Sequence, residues 1–146
     1  VFIGGGPQNQ RIRDLASDWM LRNCLFLPYQ EYHDLPYSLT CADLAVVSLG
    51  INVEGLVAPS KLYGHLAAGT PIALIAPKHS DLDWESAQYV GRVFTNGDSA
   101  SLSAHILRLK GASTIHEEQS MRAREVCLSN YSSKVVCAHY IKILHK

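Results

Sequence analysis

The chain has 146 residues, 47% hydrophobic and 18% charged, with 13 Lys plus Arg balanced by 13 Asp plus Glu. That length supports one domain with a sizeable core, and the balance is that of a globular α/β or α+β protein, not a disordered or fibrous one. Zero net charge supplies no basic excess for nucleic acid, and no apolar run approaches the roughly 18 residues of a membrane span.

Val1-Phe2-Ile3 is an apolar, β-branched run, and Gly4-Gly5-Gly6-Pro7 turns the chain. No signal peptide is visible, since Val1 already sits in a strand-like run, and a start inside a motif leads us to expect a C-terminal fragment of a longer chain. A helix is predicted from about Gln10 to Arg22, with Ile12, Leu15, Ala16 and Trp19 on one face. Cys24 to Leu27 reads as a buried strand ended by Pro28. Asp34 is placed to cap a short helix over Leu35 to Cys41. Leu44 to Leu49, LAVVSL, reads as a strand covered on both faces, as in a parallel sheet.

A glycine-bearing loop, Gly50 to Ala58, leads to a helix from Pro59 to Ala68, stopped by Gly69 and Pro71. Leu62, Tyr63 and Leu66 form its expected inward face. Ile72 to Ala76 is a second buried strand, and the polar loop Pro77 to Asp83 precedes a helical Trp84 to Tyr89. Gly91 to Phe94 reads as a short edge-like strand, turned by Asn96-Gly97-Asp98. Leu102, Ile106 and Leu109 mark a helix ending at Lys110. Thr114, with Glu117 three residues on as a capping box, opens a helix to about Asn130. Ser132 or Ser133 opens a last helix to about Leu144. Short strands alternating with helices predict an α/β fold with a doubly wound parallel sheet in one domain spanning 1–146.

Cys24, Cys41, Cys127 and Cys137 form no C-x-x-C pair and fall in apolar stretches. They read as buried free thiols in a reducing, cytoplasmic setting. The seven histidines are scattered, so no metal site is expected.

Parallel sheets bind ligands at the carboxyl ends of their strands. Gly4-Gly5-Gly6 lies at such an end, but Asn9 stands where a dinucleotide fingerprint needs its third glycine. A dehydrogenase-type site is therefore disfavoured. Two readings stay open, a plain tight turn or close backbone approach to a sugar or phosphate. Pro28-Tyr29 either packs or borders a nucleobase.

Lys61 carries the sharpest signal. A cation in the first turn of a helix opposes the dipole, usually by a few tenths to about 1 kcal/mol. Lys61, Gly64 and Ala68 share a face, and small residues there leave room for a ligand. The backbone N–H groups of Ser60 and Lys61, the Ser60 hydroxyl and the Lys61 ammonium can then converge on an anion. The other reading is a lysine that points to water. Glu54 is either a solvated loop acid or a hydroxyl-recognising carboxylate.

The stretches VFIGGGP, LFLPYQ…LPYSLTCADLAVVSL, EGLVAPSKLYGHLAAGTPI and GRVFTNGDSASLSAHI occur in that order. Together they resemble the C-terminal, donor-binding half of a GT-B glycosyltransferase similar to family 4, of the kind that builds bacterial surface polysaccharides. The resemblance covers nearly the whole chain, and P-S-K-x-Y-G-x-x-A-A-G is its most specific part. It implies a Rossmann-like domain that binds a nucleotide-sugar donor, with retention of anomeric configuration and no metal or other cofactor. It implies a missing N-terminal acceptor domain as partner, and a cytoplasmic location at the inner face of the membrane through that missing part. By position, Pro59, Ser60 and Lys61 fall at the diphosphate-binding helix start, Pro28 and Tyr29 near the base, and Gly5 and Gly6 in the loop facing the donor. Glu54 resembles the first acid of the family's E-x7-E motif. The second acid, which grips the ribose hydroxyls, falls on Gly64, and Glu54 is then two residues further away than the motif asks. Catalytic residues are not assigned. The rivals are a GT-B-type epimerase of nucleotide sugars, which needs catalytic carboxylates and a histidine at the strand ends, and a non-catalytic α/β binding module.

Overall fold

A computed structural model of the protein describes residues 1–51, 58–77 and 90–145. The chain forms two compact units, Val1–Ser38 and Leu39–Lys146.

The first unit is built on a β-α-β element: β1 (Phe2–Ile3), α1 (Asn9–Asp18) and β2 (Phe26–Leu27). The strands pair in parallel, Phe2 opposite Phe26 and Ile3 opposite Leu27. The Phe2 and Phe26 rings stack with centroids 4.9 Å apart, and the Arg13 guanidinium lies 4.5 Å over Phe26. Ala16 is the buried residue of α1. The helix stops four residues earlier than its apolar spacing predicts. Met20 takes a left-handed conformation (φ 52°), Leu21 N–H donates to Ala16 C=O at 2.8 Å, and Met20 N–H donates to Ser17 C=O at 2.9 Å. These two bonds close the helix by a Schellman motif, here without the usual glycine. Trp19 is therefore at the cap, 67% exposed, and not on an inward face.

A 3₁₀ turn, Tyr32–Asp34, runs directly into α2 (Leu35–Thr40). Asp34 is itself in the turn, so it is not the extended residue that a cap requires.

In the second unit β3 (Ala45–Ser48), β4 (Ile72–Ile75) and β5 (Gly91–Phe94) form a parallel sheet in the order β3-β4-β5. Ala45 is opposite Ile72, and Ile72 is opposite Gly91. α3 (Ser60–Ala68) lies in the connection from β3 to β4. After β5 come α4 (Ser99–Lys110), α5 (Ser113–Val126), a π turn over Cys127–Tyr131, and α6 (Ser133–Leu144). Val47, Leu49, Leu62, Leu66, Ile72, Leu74, Ala76, Val90 and Ala123 make the core.

The expected parallel α/β fold is present, with two differences. The described strands form two sheets, one in each unit, not one. And β3 is not covered on both faces. Ala45, Val47 and Leu49 are buried, whereas Val46 is 52% exposed and Ser48 is exposed. Among the described strands β3 is at a margin of its sheet, while β4, hydrogen-bonded on both sides, buries Ile72, Ala73 and Leu74. An apolar run reports strand propensity, and the number of covering layers is set by neighbours remote in sequence.

Helix α3 ends as its sequence requires. Gly69 is left-handed (φ 73°), and Thr70 N–H donates to His65 C=O at 2.9 Å. A Cβ at Gly69 meets the Ser120 carbonyl at 3.3 Å, so α5 packs closely here, and Arg124 donates to the Ala67 carbonyl. Leu62 and Leu66 face the core; Tyr63 instead meets Tyr131 edge-on at 5.0 Å.

Asp98 caps α4 by accepting from Ser101 N–H at 3.1 Å. The capping box at Thr114 is not formed: α5 starts at Ser113 behind Ala112, with no side-chain cap. The four cysteines are free as expected, but Cys41 and Cys137 are exposed and Cys24 and Cys127 only half-buried. Apolar neighbours in sequence did not imply burial, because Cys137 is on a helix that buries no residue. The helix expected at Trp84 to Tyr89 is outside the described residues.

One buried titratable group gives a pH dependence. His105 is 4% exposed, and neither ring nitrogen has a hydrogen-bond partner among the described residues. Its ring centroid is 5.6 Å from that of Phe94, over which Arg92 is positioned at 5.4 Å. Burial first, then the Arg92 and Arg108 cations, push its pKa below the ordinary 6.5. The folded chain thus holds a neutral imidazole that the unfolded chain protonates near its ordinary value. The stability is complete above the unfolded pKa and is lost as pH falls from there through the lowered folded pKa. Denaturant midpoints are expected to drop on acidification across that window, and His105→Leu to flatten the drop. A midpoint independent of pH would show that His105 is solvated.

Candidate functional site

In the second unit the candidate group is the start of α3. Pro59 is the N-cap, extended (φ −70°, ψ 101°), and no side chain among the described residues caps the helix. Leu62 N–H returns to Pro59 C=O at 2.9 Å. Ser60 and Lys61 are exposed in the first turn, so their groups are open to an incoming anion. His65 follows Lys61 by one helical turn. Burial first, then the Lys61 charge, lowers its pKa, and its Nδ1 is buried without a partner among the described residues. The Lys61 charge is therefore felt electrostatically along this face.

Gly64 is less open than its size suggests. A Cβ built there meets Leu39 Cδ1 at 3.5 Å, an ordinary packing contact. Pro59, Ser60 and Lys61 are contiguous, while Gly64 is packed against Leu39. Glu54 is outside the described residues.

The carboxyl edge of this sheet carries a residue the sequence reading took only as part of a turn. Asn96, just after β5, donates from Nδ2 to the Leu49 carbonyl at the end of β3, at 3.0 Å. Its Oδ1 is buried with no partner among the described residues. No local signal marks Asn96, since the bond spans 47 residues of sequence.

In the first unit two separate stretches come together. Gly4 (φ 101°) and Gly6 (φ 131°) turn the chain after β1, in backbone conformations that side chains rarely adopt. Gly4 N–H donates to Leu27 C=O at 3.0 Å, tying the turn to the end of β2. Asn9 closes it, donating from Nδ2 to Gly4 C=O at 3.2 Å and from its N–H to Gly6 C=O at 3.1 Å. The Tyr29 ring, just past Pro28, lies on Gly4 and Gly5: a Cβ at Gly4 would be 2.8 Å from Tyr29 Cε1, and one at Gly5 3.3 Å from Cε2. Tyr29 remains 77% exposed. The turn and the aromatic loop therefore form one small platform at the carboxyl ends of β1 and β2.

Gly4→Ala is expected to cost about 1–3 kcal/mol, from the positive φ and the ring contact together. Gly6→Ala, whose Cβ meets nothing within 4 Å among the described residues, isolates the backbone part. Tyr29→Ala should recover the difference when combined with Gly4→Ala, which thermal melts of the four variants will check.

The fold is that of a Rossmann-like half of a GT-B glycosyltransferase, and the comparisons agree. The chain superimposes on the crystal structure of the GT-B glycosyltransferase TarM with a TM-score of 0.76 and 19% identity, over 99% of this chain and 28% of that one. In sequence it is 32% identical over 82 residues to an Escherichia coli K12 protein carrying the name colanic acid biosynthesis glycosyl transferase WcaI. The match spans 56% of this chain and 20% of that protein. No protein-family model matches the chain. The resemblance to a GT-B-type glycosyltransferase domain, read first from motifs, thus holds in sequence and in fold.

Proposed function

We propose that the chain is the nucleotide-sugar donor-binding domain of a retaining glycosyltransferase in cell-surface polysaccharide synthesis. The observation that carries this reading is Lys61, exposed in the first turn of α3, where the helix end is already positive. Bound diphosphate offsets that conflict. When the sugar leaves the donor, negative charge accumulates on the diphosphate, and a preorganised ammonium with first-turn N–H groups stabilises it without a metal. In the first unit, taken by itself, the exposed Tyr29 ring on the Gly4–Gly5 backbone offers a small stacking platform. On this reading the reaction is cytoplasmic, and an acceptor domain is needed for turnover, because transfer requires both substrates in near-attack geometry.

Calorimetric titration of the 146-residue chain with UDP, GDP and the parent nucleosides tests the reading. Diphosphates should bind more tightly than nucleosides, and the isolated chain should transfer no sugar from labelled donor. No binding of either diphosphate would leave a non-catalytic α/β module as the better description.

A further inference from the structure

Gly4, Gly5 and Gly6 are consecutive glycines, which have the most backbone freedom to lose on ordering. Yet the turn they make is the seat of the Tyr29 ring. Gly4 N–H is tied to Leu27 C=O, and Asn9 makes two further bonds to the turn, Nδ2 to the Gly4 carbonyl and N–H to the Gly6 carbonyl. The Asn9 amide is itself held. Arg13, one helical turn on, donates from Nε to Asn9 Oδ1 at 2.8 Å, which leaves Nδ2 to face the turn. The Arg13 guanidinium lies over the Phe26 ring, and Phe26 stacks on Phe2. Contacts therefore run from the paired strands β1 and β2, through Arg13 and Asn9, to the backbone under Tyr29. A helix cap does not explain this arrangement. A capping side chain accepts from N–H groups of its own helix, whereas the Asn9 amide donates backwards, five residues before it.

We propose that Asn9 and Arg13 are positioning residues, which hold the Gly4–Gly6 turn in the shape on which Tyr29 presents its ring to the base of the donor. The inference rests on the donor-binding reading. A loose glycine turn would have to be ordered at the moment of binding, and that ordering would be subtracted from the affinity. A turn already ordered in the folded chain avoids the loss. Neither residue has to touch the ligand for this effect.

NMR titration of the 146-residue chain with uridine, guanosine and inorganic pyrophosphate tests it. Asn9→Asp is the informative variant. A carboxylate suits the first residue of a helix, so α1 is retained, but it cannot donate to the Gly4 carbonyl. It should weaken nucleoside binding about five- to tenfold and leave pyrophosphate binding unchanged. Arg13→Met should weaken nucleoside binding about threefold, while Arg13→Lys, still able to donate to Asn9 Oδ1, should stay within about twofold of the parent. In the unliganded chain the Gly4 and Gly5 resonances, shifted by the Tyr29 ring, should move in Asn9→Asp toward their positions in Tyr29→Leu. Unchanged nucleoside binding in Asn9→Asp, or nucleoside and pyrophosphate weakened alike, overturns the positioning role and leaves donor binding in place. A parent chain that binds neither nucleoside overturns the donor-base reading, and this inference with it.

Discussion

Lys61→Ala is expected to weaken nucleoside diphosphate binding by roughly 10- to 100-fold and to leave nucleoside binding nearly unchanged. The size follows from a charge-assisted hydrogen bond, worth about 1.5–3 kcal/mol. The selectivity follows from position: Lys61 is in the first turn of α3 behind an uncapped Pro59, where only an anionic group gains from it. The unliganded variant should be equally stable or slightly more stable, since the conflict with the helix dipole is removed. His65 supplies an internal readout. Its pKa is depressed by burial and secondarily by Lys61, so removing the ammonium should raise it, which histidine resonances followed by NMR would show. If nucleoside and diphosphate weaken alike, or neither changes, Lys61 is a solvated charge and the phosphate site is elsewhere.

Gly91→Ala is expected to destabilise the chain by about 3 kcal/mol or more, enough to leave a marginal domain largely unfolded. Gly91 opens β5 opposite Ile72 of the central strand. A Cβ there would run into the Ile72 carbonyl oxygen and come within 2.7 Å of its carbonyl carbon and 2.8 Å of its nitrogen. These are backbone atoms in the middle of a sheet, so no side-chain rotation relieves the contact. The entropy that alanine saves in the unfolded chain is about 0.4–1 kcal/mol and does not offset it. Gly111→Ala is the matched control: its φ is −96° and its nearest neighbour is 3.8 Å away, so it should be neutral or mildly stabilising. Chemical denaturation of the two variants decides the matter, and equal midpoints would show that β5 shifts freely.

Element positions were largely legible. Gly91–Phe94 and the Gly69 stop of α3 emerge where the sequence places them, because glycine and short apolar runs act through local backbone energetics. Ends governed by less local chemistry were not legible. The left-handed turn at Met20 that shortens α1 has no residue signal, since methionine adopts it only under the constraint of the two closing hydrogen bonds. The Thr114 capping box failed because α5 begins one residue earlier, which places Thr114 inside the helix.

For the candidate site, the first-turn placement of Lys61 was written in the sequence, since a helix start and a charge are both local facts. The platform of Tyr29 on Gly4 and Gly5 was not, although each part was noted separately: parallel pairing of β1 with β2 sets their ends side by side. The packing of Leu39 against Gly64 and the reach of Asn96 to Leu49 also join residues 25 and 47 apart. Sequence alone therefore determined the alternation of elements, their α/β class and the charge at the start of α3, all of which depend on nearest neighbours along the chain. Tertiary structure alone decided which face of β3 is covered, which cysteines are exposed, and that α6 has no buried residue. Burial is a property of what packs from elsewhere in the chain, and that information is not contained in any local window.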